Sequence, residues 1–198
     1  MLVSALTAGL LTGLSLIVAI GAQNAYVLRQ GLLRSHVGGV VLVCAVSDLV
    51  LIVAGVSGIG ALVAHASWLI EVVRWFGVAF LLWYAVAALR RAFRAESLHA
   101  GTGVESRTRA VGRAVALTWL NPHVYLDTVL LLGSIANAHA GRWWFAAGAG
   151  TASVLWFCAI GFGARLLAPL LARPRAWQVL DVLIAATMVF VALKLALG

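Results

Sequence analysis

The chain has 198 residues, of which 64% are hydrophobic and 10% charged, and its mean hydropathy is +1.06. Soluble domains carry about 45–50% apolar and about 25% charged residues, so this composition cannot cover a water-facing surface. The net charge of +8 comes from fourteen basic residues against six acidic ones. They lie between apolar runs, where they report membrane topology, and a nucleic-acid partner is excluded on that ground.

Crossing a hydrocarbon layer takes about 20 apolar residues. In chain order, such windows fall near 2–24, 37–57, 68–89, 110–136, 143–164 and 177–197. Ala19-Ile20-Gly21 resembles a signal-peptidase site, but no basic residue precedes the apolar run, so the segment is expected to stay as a first span. Eleven of the fourteen basic residues fall in the first, third and fifth connections, leaving Arg74, Arg142 and Lys194 for the other side. Odd-numbered connections are therefore expected in the cytoplasm and both termini outside.

The longest polar stretch, RRAFRAESLHAGTGVESRTRAVGR at 90–113, divides the chain near its middle. The expected organisation is a three-helix repeat at 1–89, a cytoplasmic linker at 90–109 and a second three-helix repeat at 110–198. An odd number of spans per half forces the halves into opposite orientations, the inverted-repeat plan of many secondary transporters. Asp48–Gly58 can be laid on Ser153–Gly163, and Asn24 and Asn121 both sit in the first span of their half. The fold expected is thus an all-α integral membrane protein with six transmembrane helices as two inverted repeats, broken near Asn24 and Asn121.

Polar side chains inside the apolar windows locate the chemistry. GAQNAYVLRQG at 21–31 places Gln23 and Asn24 at the end of an uncharged run. TWLNPHVYLDT at 118–128 places Asn121 eight residues beyond Arg113, about 12 Å deep at 1.5 Å per residue. Pro122 cannot continue a helix from below, yet Asn-Pro is a good start for a new one. That span reads as two half-helices meeting at 120–122. Broken backbone at such depth is stable only against protein or a wet cavity.

Asp48 lies in the middle of the second span and Asp127 beyond the break in the fourth. A charged Asp at a helix centre costs about 2.5–3.5 kcal/mol on insertion scales, so each should face a partner or a cavity. Counted along an α-helix, Asn121 and Asp127 need not share a face, which leaves helix contacts open as a role for Asp127. His123 could act at the break or simply cap it, and His36, His65, His99 and His139 belong to loops. Trp68, Trp143, Trp144 and Trp177 near span ends fit an aromatic belt. Glu71 and Arg74 have the spacing of an intrahelical pair, and Asp181 that of a first-turn acid. Gly55, Gly58, Gly60, Gly161 and Gly163 suit close helix packing. Cys44 and Cys158 lie in apolar runs without metal or redox spacing, and no nucleophile–base motif appears. No cofactor, metal site or enzymatic activity is expected.

The blocks GAQNAYVLRQG, VCAVSDLVLIVAG at 43–55, FGVAFLLWYA at 76–85 and TWLNPHVYLDT together resemble the lysine/arginine exporter family of bacterial inner membranes. The resemblance covers nearly the whole chain, and the Asn-Pro block with its following Asp is its most specific part. Relatives commonly carry Pro where this chain has Ala22, which weakens the case for a Pro-enforced break in the first span. The resemblance implies export of L-lysine, L-arginine or both across the inner membrane by a multi-pass protein, in exchange for protons. It implies a substrate-binding set of Gln23, Asn24, Asp48, Asn121, Tyr125 and Asp127, with Asp48 and Asp127 also as proton carriers. The partners expected are the amino acid, protons and the lipid bilayer, with a homo-oligomer left open. Alternative readings are an exporter of neutral amino acids such as threonine or homoserine, and a structural membrane subunit.

Overall fold

The computed structural model describes residues 2–18, 21–58, 67–93, 106–121, 124–167 and 174–197. Pro122, His123, His65, His99, Gly60 and linker residues 94–105 lie outside these, as do the side chains of Trp68 and Trp177. The helices are α1 (Leu2–Ile17), α2 (Ala22–Leu32), α3 (Val37–Val56), α4 (Ser67–Phe93) and α5 (Arg107–Trp119). A π-helical stretch, Tyr125–Leu132, continues into α6 (Gly133–Asn137). Then come α7 (Arg142–Gly163), a 3₁₀ turn (Ala164–Leu167) and α8 (Pro174–Leu197). Among the described residues there is no strand.

Helix α3 and the segment Arg142–Leu166 are each long and apolar enough to cross a membrane, and α1 with α2 adds a third crossing if the bent pair counts as one. On α3, Leu42, Val46, Val50 and Val53 stay exposed; a helix apolar on every side belongs in lipid or a large core. Helix α4 runs on to Phe93 and α5 starts at Arg107. Ser106 caps α5, its hydroxyl accepting from the Arg109 N–H.

The first window, 2–24, is not one helix. α1 ends at Ile17, α2 begins at Ala22, and the two are bent by 82°. Gly21 is extended as the N-cap of α2 and brings no side-chain bond to it. Asn24 therefore sits in the first turn of α2 rather than at the break, and Arg29 belongs to a helix rather than a loop.

Helix α7 is the continuous rod against which the bent pair is laid. Gly9 and Gly13 of α1 bring its backbone onto Phe145 and Ala149 of α7, and Gly148 meets the Leu6 carbonyl. Farther along, Gly31 of α2 abuts the Gly161 carbonyl. α1 thus follows α7 in its own direction, and α2 meets α7 near Gly161. On its other side, α3 runs against α7, with Val41 at Gly161 and Leu49 at Gly150. Gly55 and Gly133 let the C-terminal part of α3 touch the π-helical stretch and α6 backbone to backbone. Such approaches are how helices associate where lipid removes the hydrophobic drive. Of the glycines singled out in the sequence, Gly55 and Gly161 serve this purpose, whereas Gly58 takes a positive φ of 92° after α3. Gly163 meets nothing within 4 Å.

Helices α4 and α8 form an antiparallel pair. Arg74, near the start of α4, donates to the carbonyls of Leu195 and Ala196 at the end of α8. Its guanidinium therefore ties two helices together, and the expected pairing with Glu71 gives way to it.

A side chain at Gly148 has only the Leu6 backbone to enter. Gly148→Val should lower stability by about 1–3 kcal/mol or more through overpacking, whereas Gly112→Ala, with open space within 4 Å, should gain up to about 1 kcal/mol. Thermal unfolding in detergent distinguishes them, and equal midpoints would contradict the α1–α7 contact.

Candidate functional site

Each interruption is stitched by a side chain that reaches back to the helix before it. Asn24 Nδ2 donates to the Ile17 carbonyl at 2.6 Å, on the last residue of α1. The Tyr125 hydroxyl donates to the Trp119 carbonyl at 2.8 Å, on the last residue of α5. The final carbonyls of a helix lack intrahelical donors, and in lipid such a deficit costs several kcal/mol. A polar side chain just downstream supplies the missing donor in both places. Two tryptophans fix the arrangement: Trp156 Nε1 donates to Asn24 Oδ1 at 3.3 Å, and Trp119 Nε1 to Ser47 Oγ at 3.1 Å.

Between the interruptions lies a cavity of about 220 Å³. Gln23, Asn24, Asp48, Asn121 and Asp127, from four separate segments, all line it. Asp48 is buried and accepts a 2.9 Å hydrogen bond from Ser153 Oγ of α7. Asn121 is buried just past the end of α5, and Asp127 is half-buried in the π-helical stretch. The buried Gln23 Nε2 has no hydrogen-bond partner among the described residues. A buried amide donor without a partner is rare enough to call for a ligand or water. Gly21, at the start of α2, completes one wall, and a helix start offers N–H donors and a favourable field to an anion.

Asp127 joins Asn121 on this wall because the chain between them is not a continuous α-helix. The helix ends at Trp119 and resumes in the wider π-helical winding, so the angle counted along an α-helix does not apply. Tyr125 is the one residue of the predicted substrate set absent from the cavity wall. Its hydroxyl is spent on Trp119, a structural bond across the break. Pro122, the third residue assigned to the breaks, lies outside the described residues. Among the described residues no group of three His, Cys, Asp or Glu could hold a metal ion.

Residues 14–198 match the model of the LysE type translocator family. The chain belongs to this family. It is 45% identical to the arginine exporter protein ArgO of Pectobacterium carotovorum, with 95% of this chain and 94% of that one covered. Against the arginine exporter protein ArgO of Klebsiella pneumoniae (strain 342) the identity is 43%, covering 95% and 91%. A Mycobacterium bovis protein, Mb0498, provisionally named an amino-acid transporter, is 47% identical over 90% of both chains. No solved structure matches the chain. The protein is a multi-pass membrane translocator.

In this LysE-type translocator several wall residues carry no signal in the sequence. Ser153 and Thr128 look like ordinary small residues of apolar helices, and Phe190, Val191 and Lys194 line the cavity from α8. Lys194 is the single lysine of the chain, and charge counting alone assigns it to topology. Asn24 also borders a second cavity of about 510 Å³, with Trp156, Leu28 and Ile160 around it and Leu183, Ile184 and Thr187 of α8 opposite. One side of α8 thus walls both spaces.

Asp181 is not a first-turn acid. It is the eighth residue of α8, buried, and pairs with Arg29 of α2 across 3.4 Å. The side chains are 16% and 7% exposed, so removing either partner strands a charge. Arg29→Met or Asp181→Leu should each cost about 3–5 kcal/mol, whereas the double replacement Arg29→Met, Asp181→Leu should recover most of it. Thermal unfolding of the four proteins measures this. Losses that merely add in the double variant would mean the pair is not coupled.

Proposed function

We propose that this translocator exports basic L-amino acids, L-arginine and L-lysine, from the cytoplasm across the inner membrane in exchange for protons. The observation that carries the reading is the pair of carboxylates, Asp48 and Asp127, on one small cavity between two interrupted helices. A site of two acids suits a solute with two cationic groups. The names of the ArgO relatives support arginine as one such solute.

In this reading the substrate carboxylate lies toward Gln23, Asn121 and the half-helix starts, which offer neutral donors. Asp48 and Asp127 take the ammonium and the guanidinium, or a proton when the substrate is absent. Coupling follows from charge. Moving one positive charge out of an interior-negative cell costs about 2.3 kcal/mol per 100 mV, and one proton returning in its place cancels that movement.

The six-span arrangement as two inverted repeats, 1–89 and 110–198 around a cytoplasmic linker at 90–109, with both termini outside, belongs to the same proposal. Its support is a register. The overlay of the two halves sets Asp48 upon Ser153, and these side chains are hydrogen-bonded to each other. Equivalent positions must meet in this way where they approach a two-fold axis. The opposed directions of α3 and α7, the helices carrying them, agree with the same axis.

Efflux from proteoliposomes loaded with radiolabelled L-arginine tests the proposal. An inward proton gradient should accelerate efflux from the wild type. Asp48→Asn and Asp127→Asn should each lower it about 10-fold or more, the scale of one lost charge-assisted interaction. Wild-type efflux that ignores the proton gradient would reject antiport, and export of threonine but not arginine would reject the cargo.

A further inference from the structure

Among the described residues, three ionisable side chains line the central cavity: Asp48, Asp127 and Lys194. Two are acids and one is a base. A basic α-amino acid carries the complementary set, an α-ammonium, a cationic side chain and one carboxylate. We propose that Lys194 is the charged anchor for the substrate carboxylate, and thereby the residue that separates basic amino acids from the diamines lacking that group. The inference rests on the cargo proposed above and deepens it.

A lysine near the end of a membrane helix has an ordinary explanation, its stem lying along apolar surface and its ammonium reaching water. Three observations argue for more. Lys194 follows Phe190 by one turn on α8, adjoins Val191 on the same side, and shares a cavity with both. Lys194 is itself exposed, as are Phe190, Leu193 and Leu197, but of these four only Phe190 and Lys194 line that cavity. Among the described residues the ion pair is Arg29–Asp181, so the Lys194 ammonium is in none and stays available to a ligand. The backbone that carries it is held in place, because Arg74 donates to the carbonyls of the next two residues, Leu195 and Ala196. Arg74 is in this sense a positioning residue.

Neutral donors already face the cavity, and Gln23 Nε2 and the start of α2 can each donate a hydrogen bond to a carboxylate. They cannot discriminate strongly against a solute that lacks the carboxylate, since water satisfies them equally. A fixed positive charge can. It attracts the carboxylate of arginine and repels agmatine, the same molecule without that group, which brings two positive charges and no negative one. It also completes the account of neutral amino acids. Such a solute would satisfy Lys194 and one acid, leaving the second carboxylate of the cavity without a cation.

The test is binding of L-arginine and of agmatine to the purified full-length protein by titration calorimetry. The wild type should prefer arginine by about 10-fold or more. Lys194→Gln should weaken arginine by about 10–100-fold, the range for loss of a charge-assisted bond, and should strengthen agmatine several-fold by removing the repulsion. Lys194→Arg keeps the charge and should keep the preference. A parallel loss of both ligands in Lys194→Gln, or no change in either, would overturn the assignment. So would a wild type that binds agmatine as tightly as arginine, a result that needs no variant to fold. Failure of the wild type to bind arginine at all would instead defeat the cargo proposed above.

Discussion

Backbone carbonyls at the end of a helix need donors, and inside a membrane only the protein or trapped water can supply them. That requirement governs the arrangement of this chain. α1 and α5 both end within the molecule, and each leaves its last carbonyl to a side chain a few residues downstream, Asn24 in one case and Tyr125 in the other. Asn24 and Tyr125 thereby make two interrupted helices tolerable. What the interruptions gain is a small polar space between them, into which Gln23, Asn24, Asp48, Asn121 and Asp127 project. An uninterrupted rod could present acids to a neighbour, but it could not offer a helix start as well.

The surroundings keep that space in place without filling it. α7 is unbroken from Arg142 to Gly163 and takes α1 and α2 along one flank and α3 along another. Glycines on both sides of these contacts bring backbones together, so rigidity here comes from close approach rather than from large side chains. α8 closes the remaining wall, paired with α4 and joined to α2 by Arg29 and Asp181. A buried ion pair contributes little net stability compared with apolar packing. Its value at this position is registry: it fixes the helix carrying Lys194 relative to the helix start that carries Gln23.

The sequence made the class and the location of the site legible. Composition required a membrane, and amides and acids inside apolar windows are too costly to be idle, so Asp48, Asn121 and Asp127 could be named as candidates from their position in those windows. The position of the first break was less legible. Asn24 marks the residue that repairs the gap, whereas the extended residue at the start of α2 is Gly21, where nothing polar stands out. Tyr125 was assigned to the substrate set from its place beside a break, and such adjacency does not reveal that its hydroxyl donates to Trp119. Ser153, Lys194 and the Arg29–Asp181 pair were invisible for a common reason. Each depends on which helix faces which, and local pattern carries no information about partners 105 or more residues apart. The count that left Asp127 free to face away from Asn121 assumed an α-helix, whereas Tyr125–Leu132 is wound as a π-helix.

The central claim is that the two interruptions enclose a water-accessible pocket for a cationic solute rather than a dry contact between helices. Thr128 lines that pocket beside Asp127, and Cys44 and Cys158 are the only native thiols. The most direct measurement is the rate at which a membrane-impermeant, charged thiol reagent modifies Thr128→Cys in a background with both native cysteines replaced by Ala. The account predicts modification in intact membranes, slowed by L-arginine and not by L-glutamate. A folded protein whose Thr128→Cys thiol stays unreactive, or reacts at a rate arginine does not alter, would contradict it.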